Sequence, residues 1–171
     1  MVFSYYKKLS AAQKRIYEQS NAIISVTLPD AQVFQPLISL LSFALTEEDR
    51  EQVERICRKL ALGIAGHLAA PPLRVRVFAV RPSTSWGELR GLYEPAKGRA
   101  SAIITLWMRT AKHRRVVAFK SFLRTLLHEL CHHLDYEFHK LPDSFHTEGF
   151  YKRESSLFHQ LVELPRSTNA K

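Results

Sequence analysis

The chain has 171 residues, 46% of them hydrophobic, and 25 Lys and Arg against 16 Asp and Glu give a formal net charge of +9. That size and apolar fraction suit one globular domain, or one domain with a helical extension, rather than a long disordered tract. Only two cysteines are present, Cys57 and Cys131, which excludes a four-cysteine zinc ribbon and argues against a disulfide framework, so any metal must be held mainly by histidine and carboxylate.

The first residues, MVFSYYKKLS, lack the apolar run and small-residue cleavage site of a secretory signal. The longest apolar stretch, 33–45, is broken by Pro36 and is too short to span a bilayer, which takes roughly 20 residues. The expectation is a soluble, cytoplasmic protein with no membrane partner.

Residues 1–70 are expected to be a helical region. Residues 4–20 are polar with scattered aromatics, and 31–45 form a second apolar segment interrupted by Pro36. Thr46 is a fitting N-cap for a third helix, with Glu47, Glu48 and Asp49 in its first turn. Val53, Ile56, Cys57, Leu60, Ile64 and Leu68 then recur at helical spacing, which places Cys57 in the core.

Pro71 and Pro72 end this section. Residues 73–80, LRVRVFAV, have the alternation of a half-buried strand. A second strand is expected within 88–94 and a third at 101–108, with an antiparallel hairpin as the simplest pairing. The fold class is therefore α+β, with a small antiparallel sheet. From about 117 to 138 the helical period returns, with Phe119, Leu123, Leu126, Leu130 and Leu134 on one side. A loop around Pro142 precedes a last helix beginning near His146, with Phe150, Leu157, Phe158 and Leu161 as its apolar face. Pro165 and the polar tail 166–171 end it.

Charge is unevenly placed. No acidic residue lies between Glu94 and Glu129, while Lys97, Arg99, Arg109, Lys112, Arg114, Arg115, Lys120 and Arg124 do. Such a block attracts phosphate, and nucleic acid is one candidate partner; a solvated basic face is the plainer reading.

Residues 128–132 read HELCH. His128 and His132, four apart on a helix, project from the same side, as two ligands of one ion must. Ser121, Thr125, His128, His132 and Asp135 make a polar stripe opposite the leucines. Glu129 is placed to take a proton from a metal-bound water and deliver it to a leaving amine. A bare HExxH match also arises by chance; here it sits mid-helix with the amphipathic pattern in register. A catalytic zinc takes three protein ligands and keeps one position open. His146, after the loop, is the chosen third ligand, with Glu148 and Glu154 as alternatives. Asp135 is expected to bond a ligand imidazole or fix the loop. His133 points towards the apolar side and is expected to be a satisfied, partly buried residue rather than a ligand, Cys131 to be a small core filler, and His139 to complement a helix end. Tyr136, Tyr151 and Arg153 are candidates to stabilise an oxyanion.

The pattern of strands, HELCH on a helix, then His146 followed four residues later by Phe150, resembles the SprT-like, Spartan-type zinc metallopeptidases, over about residues 73–162. The resemblance implies a minimal zincin-like domain at 71–165, a Zn2+ cofactor on His128, His132 and His146, Glu129 as catalytic base, and a protein or peptide substrate. It also implies that the strand before the active helix, 101–108, holds the substrate backbone by strand addition. Some members act on proteins attached to DNA, which would suit the basic block. The alternative is a zinc-containing regulatory or nucleic-acid-binding module without proteolysis.

Overall fold

A computed structural model describes residues 3–84 and 87–162; Pro165 and the tail 166–171 lie outside the described residues. After a 3-10 turn at Ser4–Lys8 comes α1 (Ala11–Ala22). Ser10 caps α1: its hydroxyl accepts from the Gln13 N–H while the Gln13 side chain accepts from the Ser10 N–H, satisfying two end donors reciprocally. A second 3-10 turn, Ala31–Phe34, leads into α2 (Gln35–Thr46). Pro36 sits in the first turn of α2, where a missing N–H breaks no helical bond, so it opens this helix rather than interrupting it.

The next helix, α3 (Arg50–His67), is capped by Asp49 and not by Thr46. Asp49 accepts from the Gln52 N–H, whereas Thr46 ends α2 and donates its hydroxyl to the Ser42 carbonyl. Glu48, at φ 57°, makes the left-handed step between the two helices. Val53, Ile56, Cys57, Leu60 and Ile64 are buried along α3, as their spacing predicts.

The strands are β1 (Arg74–Val80), β2 (Ser83–Thr84), β3 (Gly87–Glu88), β4 (Gly91–Glu94) and β5 (Ile103–Arg109). The expected strand at 88–94 is split: β3 pairs with β2 in a separate two-stranded ribbon, and β4 joins the main sheet. The main sheet is mixed and not antiparallel. Its order is β1-β5-β4, with β5 parallel to β1 and antiparallel to β4. The β2–β3 ribbon and β4 fill the crossover between β1 and β5, so the chain returns to lie beside β1 in the same direction.

One face of the sheet is apolar: Val75 and Val77 of β1 sit opposite Ile104 and Leu106 of β5. Helices α3 and α4 (Phe119–Glu137) pack around it, α5 (Glu148–Val162) packs on α4, and α1 packs on α5. Leu123, Leu126, Leu127 and Leu130 of α4 are fully buried, each contributing about 1.5–3 kcal/mol by burial alone. The core is one cluster that runs from Val26 and Phe34 through Leu60 and Ile104 to Leu161, continuous across residue 70. No helix among the described residues is long and apolar enough to cross a membrane.

Candidate metal centre

The leucine face of α4 fixes its rotation, and that rotation aims His128 and His132 away from the core. The loop 138–147 then brings His146 over them, just ahead of α5. The Nε2 atoms of His128 and His132 each lie 3.0 Å from Nε2 of His146. These three form a group able to hold a metal ion. A tetrahedral ion about 2.0–2.1 Å from each nitrogen would set the nitrogens roughly 3.3 Å apart. The expected third ligand is thus the one brought to the pair; Glu148 instead pairs with Lys152, and Glu154 serves a different atom.

The opposite ring nitrogens determine what the Nε2 atoms present. Glu154 Oε2 lies 3.0 Å from His128 Nδ1 and, as a carboxylate, can only accept. Ser144 Oγ donates to Asp135 Oδ2 at 2.8 Å and so accepts from His132 Nδ1 at 2.7 Å. Both Nδ1 atoms therefore carry the proton, and both Nε2 atoms turn lone pairs toward the same point. His146 Nε2 lies within 3.0 Å of each of these lone pairs, a spacing that a bound cation or a ring proton on His146 can fill. Burial, first, and the neighbouring imidazoles hold His132 down to about 3, and the same causes lower His146, so both rings are neutral and able to ligate.

Of the two alternatives expected of Asp135, it fixes the loop by accepting from Ser144 and does not itself bond a ligand imidazole; Ser144 stands between it and His132. Asp135 is fully buried and also paired with Arg153 at 2.8 Å. Arg153 is itself 1% exposed and donates to the Ser20 and Ile23 carbonyls, so it cannot reach the cleft as an oxyanion donor. Tyr136 donates its hydroxyl to Asp143. Tyr151 is exposed on the cleft wall, its ring centroid 6.0 Å from that of His128 and 5.9 Å from that of His146.

Glu129 lies under β4. Its carboxylate accepts the Tyr93 backbone N–H, and burial pushes it up to about 7 against the opposing pull of His128 and that N–H. Gly91 makes this approach fit: a Cβ there would lie 2.5 Å from Glu129 Oε1 and 2.9 Å from Thr125 Cγ2. A cleft of about 1030 Å³ opens above, lined by Arg90, Leu92, Val116, Ser121, Tyr136 and Tyr151 as well as the histidines and Glu129. Gly91, Tyr93 and Ser144 carried no signal in sequence, since each acts through a neighbour distant in the chain.

The strand beside the cleft is not 101–108. That segment, as β5, is central and hydrogen-bonded on both sides, so it offers no free edge. The two outer strands differ. On β1 the edge groups of Val77 are taken by Arg50 and Glu54 of α3, whereas β4 lines the cleft and, of its backbone groups, gives the Tyr93 N–H to Glu129.

His133 is buried and satisfied, with Pro71 O 2.9 Å from Nε2 and the Tyr93 hydroxyl 3.2 Å from Nδ1. Cys131 and Cys57 are buried. In the basic segment Arg109 pairs with Glu48, and Arg124 pairs with Glu154 while covering the Phe158 ring. Lys97, Arg99, Lys112, Arg114 and Arg115 are exposed and make no ion pair among the described residues.

Compared with known proteins, the chain matches no family model, no curated protein and no solved structure. The chemistry of the site rests on its own residues.

Proposed function

We propose that the protein is a zinc-dependent metallopeptidase of the SprT-like kind, with His128, His132 and His146 as ligands and Glu129 as general base. The observation that carries this reading is the convergence of imidazole nitrogens whose far sides are pinned by Glu154 and Ser144, beside a buried carboxylate. Three histidines with a side left open suit a catalytic zinc better than a structural one, which closes its shell with four protein ligands.

Bound zinc would polarise the scissile carbonyl and acidify a water. Glu129, buried beneath β4 at the floor of the cleft, takes a proton and returns it to the leaving amine. The β4 edge receives the substrate backbone as an added strand and sets the scissile bond over the helix. Tyr151, exposed on the cleft wall beside His128 and His146, would donate to the carbonyl oxygen as charge develops there.

The test is stoichiometric zinc measurement together with hydrolysis of unfolded protein and peptide libraries. Wild type is expected to bind one zinc and cleave; Glu129→Gln is expected to keep the zinc and lose at least 100-fold in rate. Zinc-loaded wild type that shows no cleavage beyond the Glu129→Gln background would rule out the peptidase reading.

A further inference from the structure

His128 and His132 ride on one helix, and the core fixes both. His146 does not: it sits at the end of the loop 138–147, with its side chain exposed. A loop residue must be localised by contacts, because ordering each backbone unit costs about 1–2 kcal/mol of conformational entropy. Two of the loop's own bonds, Ser144 to Asp135 and Thr147 N–H to the Phe145 carbonyl, hold it from nearby. Further local bonds run from the Leu141 N–H to the Asp135 carbonyl and from the Tyr136 hydroxyl to Asp143, while others reach back almost the full length of the chain.

Tyr5 donates its hydroxyl to the His146 carbonyl at 2.8 Å, across 141 positions of sequence. Its ring stacks against Phe145, and Tyr17 packs on both. Beyond His146, Ser20 Oγ meets Thr147 Oγ1 at 3.4 Å, and the Gly149 N–H donates to Asn21 Oδ1. Gly149 lies so close to this corner that a Cβ there would come within 2.4 Å of the Asn21 carbonyl oxygen. Arg153 ties the Ser20 carbonyl to Asp135, and Asp135 reaches His132 through Ser144. The segment 3–23 thus touches the third ligand from the backbone and a second ligand through a chain of bonds.

From this juxtaposition we infer that the N-terminal segment is a built-in brace for the metal centre, with Tyr5 as a positioning residue for His146. Docking of the segment and ion binding are therefore thermodynamically coupled. The inference rests on the three-histidine metal reading above. Coupling of this kind is reciprocal: if the docked segment strengthens ion binding, the ion must stabilise docking by the same factor. Groups that orient metal ligands typically contribute about 10–100-fold in affinity.

The experiment uses the full chain and Zn2+ in competition with a chromophoric chelator. Tyr5→Phe removes one hydroxyl and keeps the ring. It is expected to weaken Zn2+ about 10-fold while lowering the melting temperature of the metal-free protein by no more than the loss of one hydrogen bond brings. Tyr17→Phe is the matched control: the Tyr17 hydroxyl is buried without a hydrogen bond, so the affinity should stay at the wild-type value. In the reverse direction, adding Zn2+ to wild type should slow amide exchange in Ser4–Lys8, and His146→Ala should abolish that slowing. Wild-type protein that binds Zn2+ equally well with Tyr5→Phe, and shows no slowing at Ser4–Lys8, overturns the coupling. Wild-type protein that binds no Zn2+ overturns the metal reading itself, a distinguishable result.

Discussion

Gly91 is where the backbone of β4 meets the carboxylate of Glu129, and it has no space for a methyl group. Gly91→Ala should push Glu129 off its line while leaving the three histidines in place. Under the proposed peptidase function we expect about a 100-fold loss of rate, the size of effect that a 1 Å misplacement produces, with zinc content unchanged; parallel rate and metal assays check it. His139 offers a different prediction, for pH. Burial, with help from Arg153, lowers it to about 4 from its ordinary 6.5, and its Nε2 is buried without a partner. The unfolded chain therefore binds a proton near pH 6.5 that the folded chain refuses until about pH 4. Stability contributed by the neutral ring is full above about pH 6.5 and is lost as pH falls through that window. His139→Leu should retain more of its stability between pH 7 and 4.5 than wild type does, both in chelator. Denaturant titrations that give the same loss in both proteins would count against this.

The helix α4 and the loop after it divide the work of building the centre. Ser144 is the joint between them: its hydroxyl accepts a hydrogen bond from His132 Nδ1–H and donates one to Asp135. Ser144→Ala should weaken zinc binding by about 10-fold or more, and a chelator competition reads this directly. How much of this was legible in sequence varied with the range of the interaction. The extent of α4, expected at 117–138 and observed as Phe119–Glu137, came from a long amphipathic period. His146 could be chosen because it lies 14 residues from His132 across one short loop. The direction of β1 relative to β5 could not, since side chains alternate identically in parallel and antiparallel strands. Thr46 and Asp49 both have cap chemistry, and only the backbone path through Glu48 decides between them. Ser144, Tyr93 and Tyr5 act on partners that tertiary packing alone brings near.

Across the whole molecule, the buried pair of Arg153 and Asp135 joins α1, α4 and α5. Both side chains are almost completely inaccessible, at 1% and 0% exposure. Removing one partner strands the other charge, which for such pairs costs about 3–5 kcal/mol. Arg153→Met is therefore expected to be among the most destabilising single substitutions, visible as a large drop in denaturant midpoint. It should also lower zinc affinity, because the chain of bonds from Ser20 to His132 passes through it.

The contact of α1 with α5 has a bearing on how the protein comes into being. Synthesis delivers the chain from its N-terminal end, so α1 emerges long before Thr147, Gly149 and Arg153 exist to receive it. Until then its end carbonyls at Ser20 and Ile23 lack the Arg153 guanidinium that they meet in the folded chain. The nascent chain exposes HELCH before His146 has been translated, and so carries two ligands without the third. A three-histidine centre assembled in this order stays incomplete on the ribosome and closes only when the last helix folds back onto the first.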